Sequence, residues 1–156
     1  NAHFGPLGGK AGDLIVYRTT EQKLPIITAN DTTTYVITCA DLSDAGRRRI
    51  EADPRRIGEV EGWTRSPHMW TRRTALVITL PWTKQNHPKP QDLAIRDRVL
   101  GWAAGYADDP EWFIQKAIAW WLRDLSKHDA ARVGAWLARH GDRLKPFARK
   151  EAGKYL

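Results

Sequence analysis

The chain has 156 residues, 42% hydrophobic and 28% charged, which suits one globular domain with a small appendage, hiding about 68–70% of its unfolded surface. A single cysteine, Cys39, excludes an internal disulfide framework and a multi-cysteine zinc site. The longest apolar runs, such as Ala117–Leu122, fall far short of the ~20 residues of a membrane span. No basic-then-apolar leader opens the chain, and Asn1 in place of Met is expected of a processed chain or a fragment.

The net charge of +7 is unevenly spread: residues 1–45 carry −2, residues 46–156 carry +9, and all eight tryptophans lie in the second part. Basic charge coinciding with aromatic surface is a footprint of polyanion binding. The chain is therefore divided at 45/46 into an N-terminal segment, a hairpin or poorly ordered, and a basic helical part.

Residues 1–12 read as a loop punctuated by glycine and proline. Gly5–Ala11 resembles a phosphate loop only superficially, since the glycine spacing is wrong and no Ser/Thr follows Lys10. Asp13–Tyr17 and Thr32–Thr38 are rich in β-branched and aromatic residues and predict two strands, with Ala29–Asp31 as a turn. From about residue 41 the character is helical. The predicted helices are 55–66, opened by Asp53 and Pro54; 68–80; 91–107, after a loop from Pro81 to Pro90; 111–127, capped by Asp109-Pro110; 130–140, between Asp129 and Gly141; and 145–156.

Three of these helices repeat one pattern. Met69-Trp-Thr-Arg-Arg-Thr-Ala75, Trp112-Phe-Ile-Gln-Lys-Ala-Ile118 and Pro146-Phe-Ala-Arg-Lys-Glu-Ala152 each carry an aromatic, a spacer, a long polar side chain and a cation. Periods in this range mark helical-hairpin solenoids. The expected fold is all-α: three antiparallel helix pairs, with a short irregular or β-coloured N-terminal segment. Arg73, Lys116 and Lys150 then form a basic ridge, or are simply three solvated cations.

The helix 111–127 splits into two stripes. Ile114, Ile118, Trp121 and Leu125 recur at core spacing. Lys116, Trp120, Arg123 and Lys127 recur at the same spacing and form a cationic face. Trp120 and Trp121 point about 100° apart, so they occupy different environments. Trp121, Trp102 and Trp136 are expected in the core. Trp120 among cations suits a nucleic acid, its ring against a base or sugar and the cations on phosphates. A cation–π pair on the helix surface is the competing explanation.

The run Trp112–Lys127 closely resembles the signature helix of the AlkD-like DNA alkylation repair proteins. Met69–Ala75 and Phe147–Ala152 resemble the preceding and closing repeats, so the resemblance covers about residues 50–156. It implies HEAT-like repeats forming a basic cradle for duplex DNA, and excision of N3- and N7-alkylated purines without a cofactor or metal. It also implies a monomer acting in the cytoplasm of a bacterial-type cell, at the nucleoid. By position, Trp120 resembles the family's active-site tryptophan, and Arg73 and Arg123 its phosphate-contacting arginines. Arg72, Lys116, Lys127, Arg149 and Lys150 complete the expected DNA contacts. The catalytic carboxylate of the family comes from a Trp-Asp-x-x-Asp segment. Here Asp41-Leu-Ser-Asp44 keeps the two carboxylates, Asp44 being the first candidate and Asp41 the second, but Cys39-Ala40 stands where the aromatic belongs.

The five histidines, His3, His68, His87, His128 and His140, are scattered without ligand spacing. Two other readings stay open: a helical-repeat DNA-binding protein without catalysis, and a protein-interaction solenoid whose basic face meets an acidic partner.

Overall fold

The computed structural model describes the backbone of residues 24–28, 31–37 and 39–156, and side chains from residue 46 onward. The predicted loop at 1–12 and strand at 13–17 lie outside the described residues. Strands β1 (Leu24–Thr28) and β2 (Asp31–Ile37) pair antiparallel, with Leu24 opposite Ile37 and Ile26 opposite Tyr35. Residues 32–37 of the predicted strand 32–38 thus lie in β2, paired with the Leu-Pro-Ile-Ile-Thr stretch.

Seven α-helices follow: α1 (Cys39–Ala52), α2 (Ile57–Trp63), α3 (Met69–Val77), α4 (Pro90–Gly105), α5 (Trp112–Ser126), α6 (Ala130–His140) and α7 (Pro146–Ala152). Residues 54–156 contain no strand.

Local chemistry sets these boundaries. Asp53 accepts from the Arg55 backbone N–H, and Pro54 opens a short 3₁₀ turn, Pro54–Arg56, leading into α2. The predicted helix 68–80 stops at Val77. Pro81 lacks the N–H a continuing helix needs, so the chain tightens into the 3₁₀ turn Leu80–Thr83. Pro90 takes the first position of α4, and Asp92 reaches back to the Lys89 N–H at 3.0 Å. Asp129 caps α6 by accepting from the Arg132 N–H. The last helix ends at Ala152 before Gly153.

The second helices of the three predicted pairs, α3, α5 and α7, lie side by side, with α5 packed against both neighbours. The first helices are linked in their own row. Glu61 of α2 pairs with Arg98 of α4, Asp97 of α4 with Arg132 of α6, and Trp136 Nε1 donates to the Leu100 carbonyl at 3.0 Å. These cross-links join residues 35 to 37 apart. A second set, Tyr106 Oη to the Thr64 carbonyl and Trp121 Nε1 to Thr79 Oγ1, joins residues 42 apart. Successive repeats are thus tied to each other by side-chain bonds along both rows.

The core runs through the whole stack, from Ile50 and Val60 to Val133 and Ala152, with α5 at its centre. Ile114, Ile118, Trp121 and Leu125 are all completely buried. Among the described residues Arg96, 1% exposed, is the one buried cation; it donates to the carbonyls of Trp82 and Gln85 at 2.7 and 2.8 Å and so ties the 80–85 segment to α4. Among the described residues no helix is long and apolar enough to cross a membrane.

Candidate nucleic-acid interface

The cation of each repeat sits three residues after an aromatic, and the fold brings these pairs together. Trp70 and Phe113 meet at 4.8 Å between ring centroids, Phe113 and Trp112 at 5.0 Å, and Trp112 stacks on Phe147 at 5.8 Å. One row of rings therefore crosses α3, α5 and α7. Cations lie along it, with the Arg73 guanidinium 5.8 Å from the Trp70 centroid and Lys116 Nζ 4.5 Å from that of Trp112. Trp112, Phe113 and Phe147 are exposed although large and apolar, which singles them out from the core aromatics.

Between α5 and α7 the row opens into a cavity of about 950 Å³. Trp112, Ala119, Trp120 and Phe147 give it apolar walls, and among the described residues Lys116, Arg123, Lys150 and Lys154 supply positive charge against the one lining carboxylate, Glu151. Trp120 is half-buried, in contrast to the wholly buried Trp121 beside it. Its indole Nε1 donates to Asp124 Oδ2 at 3.1 Å. Arg123 is held by Glu151 on α7 and by Asp124, whose Oδ1 is 3.4 Å away. Burial works against the Arg123 charge, but Glu151 and Asp124 outweigh it and hold its pKa above the ordinary value. Lys127 continues the cationic stripe, 3.8 Å from Asp124 and 4.9 Å from the centroid of the exposed Tyr155 ring.

Two of the expected contacts are engaged elsewhere. Arg72 donates to Asp109 at 3.1 Å and to the carbonyls of Ser66 and Pro67, with only 16% of its side chain exposed. The equivalent Gln115 is buried too; its amide donates to the Ala107 and Asp109 carbonyls, and its oxygen accepts from the Lys145 N–H. The long polar position of the repeat is thus an inter-repeat tie. Arg149, at that position in the last described repeat, pairs with Asp142 in the turn before α7 and does not line the cavity. Asp41 and Asp44 fall in α1, three positions apart, where side-chain placement lies outside the described residues.

The sequence reading passed over Trp112, Phe147, Lys154 and Glu151 as site residues. The first two carried a signal, being the aromatics of the repeat; the last two become part of the cavity only because α7 packs on α5. Among the described residues no group of three or more His, Cys, Asp or Glu is placed to hold a metal ion.

The surface is thus a cationic cavity walled by aromatic rings, built on repeated helices. The sequence profile of the DNA alkylation repair enzyme family matches residues 11–156. The chain belongs to that family. The match begins well before residue 50, so it takes in the described hairpin and α1, which the resemblance over 50–156 did not include. No curated protein matches the chain significantly. Membership makes DNA alkylation repair the general activity, with DNA as the substrate.

Proposed function

We propose that the protein excises N3- and N7-alkylated purines from duplex DNA by hydrolysing the N-glycosidic bond, working as a cytoplasmic monomer without metal or cofactor. One observation carries this reading: Trp120, half-exposed, stands on the wall of a cavity with four cations around it.

An N-alkylated purine carries a formal positive charge, so it is already a good leaving group. As the C1′–N bond breaks, the base takes the bonding pair and becomes neutral, while positive charge develops on the sugar. Water adds at C1′ and loses its proton. The Trp120 ring face attracts the cationic base or sugar. A carboxylate beside C1′ stabilises the developing charge and positions the water; Asp44 is assigned this role first and Asp41 second. Arg73, Arg123, Lys116, Lys127 and Lys150 hold the backbone phosphates, which orients the duplex without reading its sequence. Lys154 on the cavity wall and the exposed Arg149 join them, while Arg72, mostly buried against Asp109, serves the fold.

The test is single-turnover release of N7-methylguanine from a duplex. The wild type is expected to release the base, and Asp44→Asn to bind the duplex without releasing it. Cys39-Ala40, in place of the family's aromatic, favours a second reading, a non-catalytic DNA binder. A wild type that binds alkylated duplex and releases nothing establishes that reading and refutes the first.

A further inference from the structure

The cationic stripe of α5 contains one acidic residue whose place the mechanism above leaves unused. Asp124 is 8% exposed, and both its oxygens are engaged. Oδ2 accepts from the Trp120 indole at 3.1 Å. Oδ1 lies 3.4 Å from the Arg123 Nε and Nη2 atoms and 3.8 Å from Lys127 Nζ. Arg123 in turn reaches Glu151 on α7. Asp124 is buried and faces the Trp120 indole and the Arg123 and Lys127 cations, so we read it as a residue that orients the site rather than one that meets a sugar or water.

We infer that Asp124 is the positioning residue of the site, fixing the Trp120 indole against the cavity wall and holding Arg123 beside it. The physical case is direct. A half-exposed indole on a helix has freedom about its outer torsion, which the packing on one side alone does not remove. Its single N–H donor, given to a residue four positions on, selects one ring orientation. The acceptor is charged, so the bond is strong for its kind. Donating to an anion also polarises the ring toward greater electron density on its faces, which strengthens its attraction for a cation. Arg123 is pre-aimed by the same carboxylate, so the phosphate contact and the ring keep a fixed relation.

This inference deepens the glycosylase reading and rests on it for its effect on rate, but the bond itself is measurable without activity. The experiment uses the full chain with Asp124→Ala, Asp124→Asn, Trp120→Phe and the double variants. In a proton–nitrogen correlation spectrum, the Trp120 indole N–H is identified by its loss in Trp120→Phe. Asp124→Ala is expected to move that resonance upfield and speed its exchange with solvent, while the far-UV spectrum is retained. In single-turnover release of N7-methylguanine at saturating protein, Asp124→Ala is expected to slow the reaction about tenfold, the scale of one charge-assisted hydrogen bond. Affinity for unmodified duplex is expected to hold or rise, since a negative charge has gone. Asp124→Asn keeps an acceptor oxygen and recovers most of the rate. In the Trp120→Phe background, where the N–H is absent, Asp124→Ala adds only the smaller loss that passes through Arg123. An unmoved indole resonance overturns the inference, and so does an equal loss in the Trp120→Phe background. A wild type that releases no base refutes the glycosylase reading alone, and the resonance then decides this one.

Discussion

Replacing each of two adjacent tryptophans by alanine separates core from surface on α5. Trp121 is completely buried, and its Nε1 donates at 3.1 Å to Thr79 Oγ1, itself buried. Deleting a buried aromatic costs about 3–5 kcal/mol through lost transfer energy and the cavity left behind, and the lost hydrogen bond adds about 1 kcal/mol. Trp121→Ala is therefore expected to cost about 4–6 kcal/mol, a large part of the ~5–15 kcal/mol that stabilises a domain. Trp120 is half-exposed, and Asp124 keeps Arg123 and Lys127 when the indole is gone. Trp120→Ala is expected to cost only about 1–2 kcal/mol, mostly its hydrogen bond and partial packing. Urea titration followed by far-UV circular dichroism reads the difference. With a denaturant slope of about 2 kcal/mol per molar, the Trp121 midpoint falls by about 2–3 M and the Trp120 midpoint by about 0.5–1 M. Equal shifts for the two variants, or a Trp121 shift below about 0.5 M, refute the assignment of faces.

Binding to duplex DNA should weaken with salt at a log–log slope of about −0.9 per phosphate contacted. Arg73→Ala and Arg123→Ala should each flatten it by about one contact whatever the sequence, whereas Arg72→Ala should leave the slope alone and destabilise the fold by about 2 kcal/mol or more, because Asp109 stays partly buried. Burial, the larger cause, pushes the Tyr106 phenol up to about 12 from about 10 in the unfolded chain. The folded state thus holds the proton more tightly, so this stability is complete below pH 10 and lost between pH 10 and 12. Wild-type thermal midpoints should fall across that window more steeply than those of Tyr106→Phe, by the equivalent of about 2–3 kcal/mol; parallel curves would contradict it. Arg96→Met should cost about 2–4 kcal/mol, since the Trp82 and Gln85 carbonyls lose their donors, and denaturant titration checks this.

What the sequence by itself determined was local. Helix starts at Asp53-Pro54 and Asp129 follow from side chains that satisfy backbone N–H groups within three residues, and the stop before Pro81 follows from a missing donor. The two stripes of α5 follow from helical periodicity, which needs no knowledge of neighbours. The repeat, too, was legible, because aromatic and cation recur at fixed offsets. What each repeated position does was decided only between elements. Arg72 and Arg73 are adjacent cations in the chain, yet Asp109 of a later loop claims the first and the Trp70 ring receives the second. Gln115 reads as a polar position on a surface, but the Ala107 and Asp109 carbonyls and the Lys145 N–H make it a buried tie. Glu151 and Lys154 enter the cavity because α7 packs on α5; the contacts of Asp124 with Trp120, Arg123 and Lys127, by contrast, follow from helical spacing within one element. A side chain's partners depend on which groups the fold brings within about 3 Å of it, and several of the bonds that join successive repeats in this chain span 35 to 42 residues.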